Sequence, residues 1–110
     1  MTCVPIPDIL EIIARGEMIV LVDDPGRENE GDLVLAAEKV DAEGIAFMAK
    51  HGSGLICLAL EGEILDKLEI PLAPRSSGHQ KDTAFTLSIE AHRGVTTGIS
   101  ARDRATTIQA

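Results

Sequence analysis

The chain has 110 residues, about the length of one domain, and 45% of them are hydrophobic. A formal net charge of −8 argues against nucleic-acid binding, because phosphate backbones are held by clustered Lys and Arg side chains. The apolar runs are far shorter than the ~20 residues of a membrane-spanning helix, and no basic and apolar signal peptide opens the chain, so we expect a cytoplasmic protein without membrane contact. The two cysteines form no CxxC pair, so we expect neither a zinc site nor disulfides.

The first half of the chain predicts two helices and two strands. Apolar side chains at helical spacing predict an amphipathic helix over residues 5–16. The apolar runs 18–22 and 33–37 are too short for helices and predict strands that are covered on both faces. Asp41 is suited to cap a second helix, which runs to residue 51.

The second half continues the alternation of helices and strands. We predict a buried strand over residues 55–60, a short helix over 62–68 and a strand with one polar face over 85–89. Residues 71–82 predict a loop, the most mobile segment, and residues 100–110 predict a helix with a capping-box-like start. The fold class expected from this order is α/β (α+β), with a mixed sheet between helical layers.

The stretch "DDPGRENEGDLVLAAE", residues 23–38, crowds charges against the start of a predicted strand. If the chain is already extended at residue 28, alternation places Glu28, Glu30 and Asp32 on one face. Carboxylates held that close repel one another unless a cation shares the site, and Mg²⁺ takes one or two carboxylates together with water and substrate oxygens. A solvated acidic loop beside an ordinary strand explains the same residues, so composition leaves both interpretations open.

Three stretches, "DDPGRENEGDLVLAAE", "HGSGLICLAL" and "GVTTGISARDRATTI", closely resemble the N-terminal part of the 3,4-dihydroxy-2-butanone 4-phosphate synthases of riboflavin biosynthesis. The resemblance runs from about residue 9 to residue 108 and implies the N-terminal portion of that fold. It implies conversion of the sugar phosphate D-ribulose 5-phosphate to formate and 3,4-dihydroxy-2-butanone 4-phosphate. The family uses Mg²⁺, with Mn²⁺ as a substitute, and no organic cofactor, and it acts as a homodimer.

The resemblance also implies roles for residues of the charged stretch. Arg27 and Glu28 match the substrate-contacting pair of the family, and Glu28 also matches a Mg²⁺ ligand. Asp32 matches a residue that contacts substrate hydroxyls. We predict Glu30 as a catalytic acid or base, and Asp23 as a second catalytic candidate whose alternative role is to orient Arg27.

Further candidates follow along the chain. Cys57 matches a cysteine beside the substrate, although a thiol in an apolar run is usually an inert small side chain. Thr96 and Thr97 precede a helix N-terminus that is suited to hold a phosphate, and simple capping by Ser100 is the equal alternative. Thr107 resembles a family position near the active site.

Members of this family normally continue for a comparable length, with an R-x-G-H-T-E type segment that supplies the second Mg²⁺ ligand, phosphate contacts and a catalytic glutamate. We therefore expect residues 1–110 to be a single, incomplete synthase domain that is inactive alone. Two other functions remain open. One is a non-catalytic assembly or regulatory module, for example from a bifunctional protein fused to GTP cyclohydrolase II. The other is an acidic metal-binding protein whose whole site is residues 28–32.

Overall fold

A computed structural model describes residues 3–74 and 84–110, here called the described segments. They contain the helices α1 (Ile6–Ala14), α2 (Ala42–Phe47), α3 (Gly62–Lys67) and α4 (Ala101–Gln109), the strands β1 (Ile19–Val22) and β2 (Gly31–Val34), a 3₁₀ turn (Ala37–Lys39) and a π-helical turn (Met48–Gly52). None of the described helices is long and apolar enough to cross a membrane.

Local signals of the sequence set the helix ends. Helix α1 is followed by a left-handed glycine, Gly16, whose N–H donates to the Ile13 carbonyl at 2.9 Å. The Glu17 N–H donates to the Ile12 carbonyl at 3.1 Å. Glycine suits this position because it adopts positive φ without a Cβ clash. The Asp41 side chain accepts the Gly44 N–H at 2.7 Å, which confirms the predicted cap of α2. The π-helical turn continues α2 to Gly52, so the predicted helical span 41–51 is confirmed.

Strands β1 and β2 are antiparallel neighbours, with Val22 opposite Gly31 and Ile19 opposite Val34. Helices combined with this sheet make the chain α+β, which confirms the fold class. In the described segments the sheet has these two strands and is not mixed, since the loop 23–30 returns the chain directly beside itself and a parallel neighbour needs a long crossover.

The prediction that both strands are covered on two faces is wrong for β1 in the described segments. Val20 is 64% exposed and Leu21 is 57% exposed. Among the helices and strands of residues 3–74 and 84–110, α1 and β2 contact β1, and the π-helical turn contacts β2. An apolar run records a preference for burial, whereas burial itself requires a neighbouring layer.

The aliphatic core lies between α2 and α4 and belongs to the compact unit that joins Met1–Ile56 with Glu90–Ala110. Ile45 is 1% exposed and packs with Val40 and Ala105. Half-buried side chains surround these three residues, namely Leu35, Ile56, Ala101 and Ile108. The Gln109 side-chain amide donates to the Val40 carbonyl at 2.7 Å, which ties the end of α4 to the start of α2.

The second compact unit, Cys57–Ile89, contains α3 where residues 62–68 predict a helix. Where residues 85–89 predict a strand, the part of this unit that the structure describes has an isolated antiparallel bridge between Leu72 and Thr86. The predicted strand 55–60 is wrong for the described segments, because no regular ladder forms there and a strand requires one. Of the loop predicted over residues 71–82, positions 75–82 lie outside the described residues.

Candidate active site

The carboxylate of Asp23 collects three donors from the charged loop that connects β1 to β2. Its Oδ2 accepts the Glu28 N–H at 2.9 Å and the Arg27 guanidinium at 3.0 Å, and its Oδ1 accepts the Glu30 N–H at 2.8 Å. The N–H groups of Glu30 and Glu28 lower the pKa of Asp23, and the hydrogen bond and charge of Arg27 lower it further. The side chain therefore stays ionised at neutral pH and organises the loop.

The loop turns before it enters β2. The Asp24 side chain accepts the Gly26 N–H at 2.7 Å, and the Asp24 carbonyl accepts the Arg27 N–H at 2.8 Å. Asn29 has a left-handed backbone with a φ of 53°, a conformation that asparagine tolerates better than most residues. Strand β2 begins at Gly31, two residues after Asn29.

This geometry overturns the expectation that Glu28, Glu30 and Asp32 share one face of an extended strand. Glu28 lies in the turn, and the left-handed residue that follows breaks the period-two alternation. Within residues 3–74 and 84–110 there is no group of three or more His, Cys, Asp or Glu side chains arranged to hold a metal ion. The convergence of three carboxylates predicted from spacing is therefore wrong for the described segments.

The loop presents an exposed ion pair in place of a carboxylate cluster. The Arg27 guanidinium, held by Asp23, lies 3.3 Å from Oε1 of Glu28. Glu30 joins this group through its backbone, because its N–H donates to Asp23 and its carbonyl accepts the Asp23 N–H at 3.4 Å. Asp32 is exposed on β2, opposite Leu21. The result is a positioned guanidinium and carboxylate, groups suited to bind the hydroxyls of a polar ligand.

A second carboxylate, Asp103, organises the loop before α4, and the sequence indicated it only as part of a capping box. It is 4% exposed, and its Oδ2 accepts the Thr96 hydroxyl at 2.8 Å and the N–H groups of Thr96 and Gly98, each at 3.0 Å. The Thr96 hydroxyl contributes most to lowering the pKa of Asp103, followed by these N–H groups. The backbone N–H of Asp103 donates to Ser100 Oγ at 3.0 Å, which confirms the capping role of Ser100.

The remaining predicted site residues have different surroundings. The Thr107 hydroxyl donates to the Asp103 carbonyl at 3.0 Å and accepts the Ala91 N–H at 2.9 Å. It therefore links Ala91, in the segment before α4, to the helix. Thr97 is exposed. It lies between Thr96 and Gly98, whose N–H groups donate to the Asp103 carboxylate. Cys57 is exposed at the start of the second unit, whereas the predicted strand would have buried it.

The family model for 3,4-dihydroxy-2-butanone 4-phosphate synthase matches residues 7–110, nearly the whole chain. The chain belongs to this family. Its membership confirms the resemblance carried by the charged loop, the "HGSGLICLAL" segment and the residues around α4.

Known members of the synthase family match the chain closely. It is 53% identical over 105 residues to the 3,4-dihydroxy-2-butanone 4-phosphate synthase of Neisseria meningitidis serogroup B, covering 96% of this chain and 29% of that protein. It is 49% identical over 110 residues to the synthase of Agrobacterium fabrum, covering all of this chain and 52% of that protein. The chain therefore spans between about a third and half of the length of these relatives.

A solved structure supports the same fold. The crystal structure of a 3,4-dihydroxy-2-butanone 4-phosphate synthase in complex with two magnesium ions superposes with a TM-score of 0.90 and 44% sequence identity, covering 97% of this chain and 50% of that chain. Similarity at this level confirms the synthase fold class. The roles assigned to individual side chains, from Asp23 to Thr107, stay predictions.

Proposed function

We propose that this chain supplies part of the active site of an enzyme that converts D-ribulose 5-phosphate to formate and 3,4-dihydroxy-2-butanone 4-phosphate in riboflavin biosynthesis. Family membership over residues 7–110 supports the reaction. The observation that carries the assignment to residues is the Arg27–Glu28 pair, which Asp23 holds at the exposed end of the hairpin. A solvated acidic loop without function requires no such positioning.

The reaction requires proton abstraction beside a ketone, loss of a hydroxyl, a carbon shift and release of formate, so it needs groups that bind hydroxyls and groups that move protons. In our proposal Arg27 and Glu28 bind substrate oxygens and Asp32 contacts substrate hydroxyls. Glu30 moves protons. Asp23, ionised and fully engaged by its donors, acts by orienting Arg27, which is the second of the two roles that the sequence suggests for it.

We also propose that the enzyme binds Mg²⁺, with Mn²⁺ as a substitute. This is supported by the related crystal structure, which is a complex with two magnesium ions. In the described segments the fit is partial. Glu28 offers an exposed carboxylate, while no cluster of three acidic, His or Cys side chains surrounds it. Mg²⁺ commonly binds one or two carboxylates and keeps water or substrate oxygens as its other ligands. When bound, the ion supplies positive charge for the negative charge that develops on substrate oxygens.

Thr97, Thr107 and Cys57 complete the proposed set of residues beside the substrate. Thr97 is exposed, and Thr107 keeps acceptor capacity on its oxygen beyond the bond it already accepts. Cys57 is exposed, as a thiol beside a ligand must be. Comparing turnover of a Cys57→Ser variant with that of the parent tests the thiol, and near-normal turnover would show that it is not essential.

We further propose that the chain is one incomplete synthase domain of a longer cytoplasmic protein that forms a homodimer. The length of the relatives supports the incomplete domain, since the chain spans 52% of the Agrobacterium synthase. Light scattering on the longest protein that the source gene encodes tests the dimer. A monomer at micromolar concentration would contradict it.

The reaction itself is tested by measuring formate release from D-ribulose 5-phosphate and Mg²⁺. We expect activity in the longest gene product and none in the 110-residue chain. In the active protein, Glu28→Gln should abolish formate release. The matched control Glu38→Gln changes an exposed glutamate on the 3₁₀ turn and should leave turnover unchanged. Equal activity of both variants would contradict the role of Glu28.

A further inference from the structure

The most completely engaged ionisable side chain of the described segments outside the charged loop is Asp103. A carboxylate that is 4% exposed has lost nearly all its contact with water, so it must be stabilised by partners in the protein. Its partners are hydrogen-bond donors: one hydroxyl and two backbone N–H groups, all directed at the same oxygen. Hydrogen bonds to an ionised acceptor are stronger than those between neutral groups.

The two N–H groups belong to Thr96 and Gly98, so they flank one residue. Backbone N–H groups arranged around a concavity form an anion-binding nest, which often holds a phosphate. Gly98 has a left-handed backbone with a φ of 80°, and the Glu90 side chain lies where a Cβ at this position would stand. The backbone of this nest therefore has a defined shape, and the anion that fills it is the carboxylate of Asp103 itself.

The same residue also fixes Thr107. The Asp103 carbonyl accepts the Thr107 hydroxyl at 3.0 Å, and that hydroxyl accepts the Ala91 N–H at 2.9 Å. Asp103 is thus bonded through its side chain to both neighbours of Thr97 and through its backbone to Thr107. These two threonines are the ones proposed to contact substrate.

We propose that Asp103 is a positioning residue, an internal anion that fills the nest at Thr96 and Gly98 and thereby fixes Thr97 and Thr107 for the substrate. The part that concerns the substrate rests on the proposed synthase function. The phosphate expected at the N-terminus of α4 stays a prediction, but the N–H groups of Thr96 and Gly98 do not contribute to it, because both already donate to Asp103. A substrate phosphate would then need donors other than the N–H groups of Thr96 and Gly98.

The nest is tested first on the 110-residue chain, by amide hydrogen exchange and by ¹⁵N spectra. In the parent protein the Thr96 and Gly98 amides should be protected, and added inorganic phosphate should not shift them. Asp103→Ala should expose both amides, and acetate or phosphate should restore part of their protection by entering the vacated nest. Asp103→Asn keeps an acceptor oxygen without the charge, and it should retain more protection than Asp103→Ala.

Two controls separate this effect from general unfolding. Asp8→Ala removes an exposed acidic side chain from the first turn of α1 and should leave the Thr96 and Gly98 amides unchanged. Protection of the Ile45 and Ala105 amides reports whether the core stays folded. Unchanged exchange at Thr96 and Gly98 in Asp103→Ala, or phosphate-induced shifts of these amides in the parent, would overturn the inference.

The positioning role is then tested in the longest gene product with D-ribulose 5-phosphate. We expect Asp103→Ala to lower kcat/KM about 10- to 100-fold, as removal of an outer partner of a site commonly does, with a smaller loss for Asp103→Asn and partial recovery in acetate. Unchanged kinetics in an active enzyme would overturn the role. An inactive parent would overturn the proposed function and with it the substrate part of the inference, while amide exchange still decides whether Asp103 holds the loop.

Discussion

The core between α2 and α4 depends on one side chain, Ile45. It is 1% exposed, and it is the largest side chain that is fully buried in the described segments. Ile45→Ala removes three carbon atoms, a transfer loss of roughly 2.4 kcal/mol at about 0.8 kcal/mol for each buried CH₂ group. The cavity left behind raises the expected cost to about 3 kcal/mol, within the range of about 2–5 kcal/mol for such truncations. A chain of this length has a free energy of unfolding of about 5–15 kcal/mol, so the loss is a large fraction of the total.

Urea unfolding followed by circular dichroism measures this loss. For a denaturant dependence of about 1.5 kcal/mol per molar, 3 kcal/mol lowers the urea midpoint by about 2 M. The matched control is Ile6→Ala, which removes the same atoms from a side chain that is 69% exposed on α1. Its midpoint should change little. Equal shifts for the two variants would contradict this role of Ile45, because its packing would then contribute no more to stability than that of an exposed isoleucine.

Three further predictions concern the loops and the metal. The lowered pKa of Asp23 means that its contribution to stability is present above the pKa of the unfolded chain and is lost as pH falls through its lower pKa in the fold. The protection of the Glu28 and Glu30 amides, measured relative to exchange of an unfolded chain at the same pH, should decrease in that acidic window in the parent. Asp23→Asn should lack this pH dependence, and a parallel response of the variant would contradict the role of Asp23. Ser100→Ala removes the acceptor of the Asp103 N–H and should lower the free energy of unfolding by about 1 kcal/mol and Tm by about 4 °C. Ser100→Asn keeps a comparable cap and should not lower either value. Thermal melts of both variants decide this. Calorimetric titration with Mg²⁺ should leave the 110-residue chain unsaturated at millimolar ion, and tight binding without sugar phosphate would instead favour a dedicated metal-binding protein.

Short-range sequence signals were sufficient to predict where the helices lie. The glycine that ends α1 and the side-chain caps of α2 and α4 act within a few residues, so the sequence predicts them without knowledge of distant neighbours. Extended segments depend on what lies beside them. The run of residues 55–60 is as apolar as β1, yet β1 has a partner returned by the adjacent loop and the run has no regular ladder in the described segments. Strand propensity alone does not provide that partner.

The candidate site shows the same distinction at the level of single residues. Spacing predicted three carboxylates on one face, but the left-handed Asn29 changes the direction of the chain between two of them. The sequence placed Asp23 beside Arg27, and the structure adds the two N–H groups that make Asp23 the organising residue of the loop. The side chain of Asp103 bonds to a loop that precedes its own helix, and no spacing rule for helix caps indicates that contact.

The most direct test of the account is formate release from D-ribulose 5-phosphate and Mg²⁺, measured side by side for this chain, for the longest protein its gene encodes and for the Glu28→Gln variant of that protein. We expect formate from the longest protein only. Formate from the 110-residue chain would contradict the proposal that its site is incomplete. If all the proteins are folded and none releases formate, the synthase function is contradicted, and the chain is an assembly or regulatory module that keeps the fold of the family.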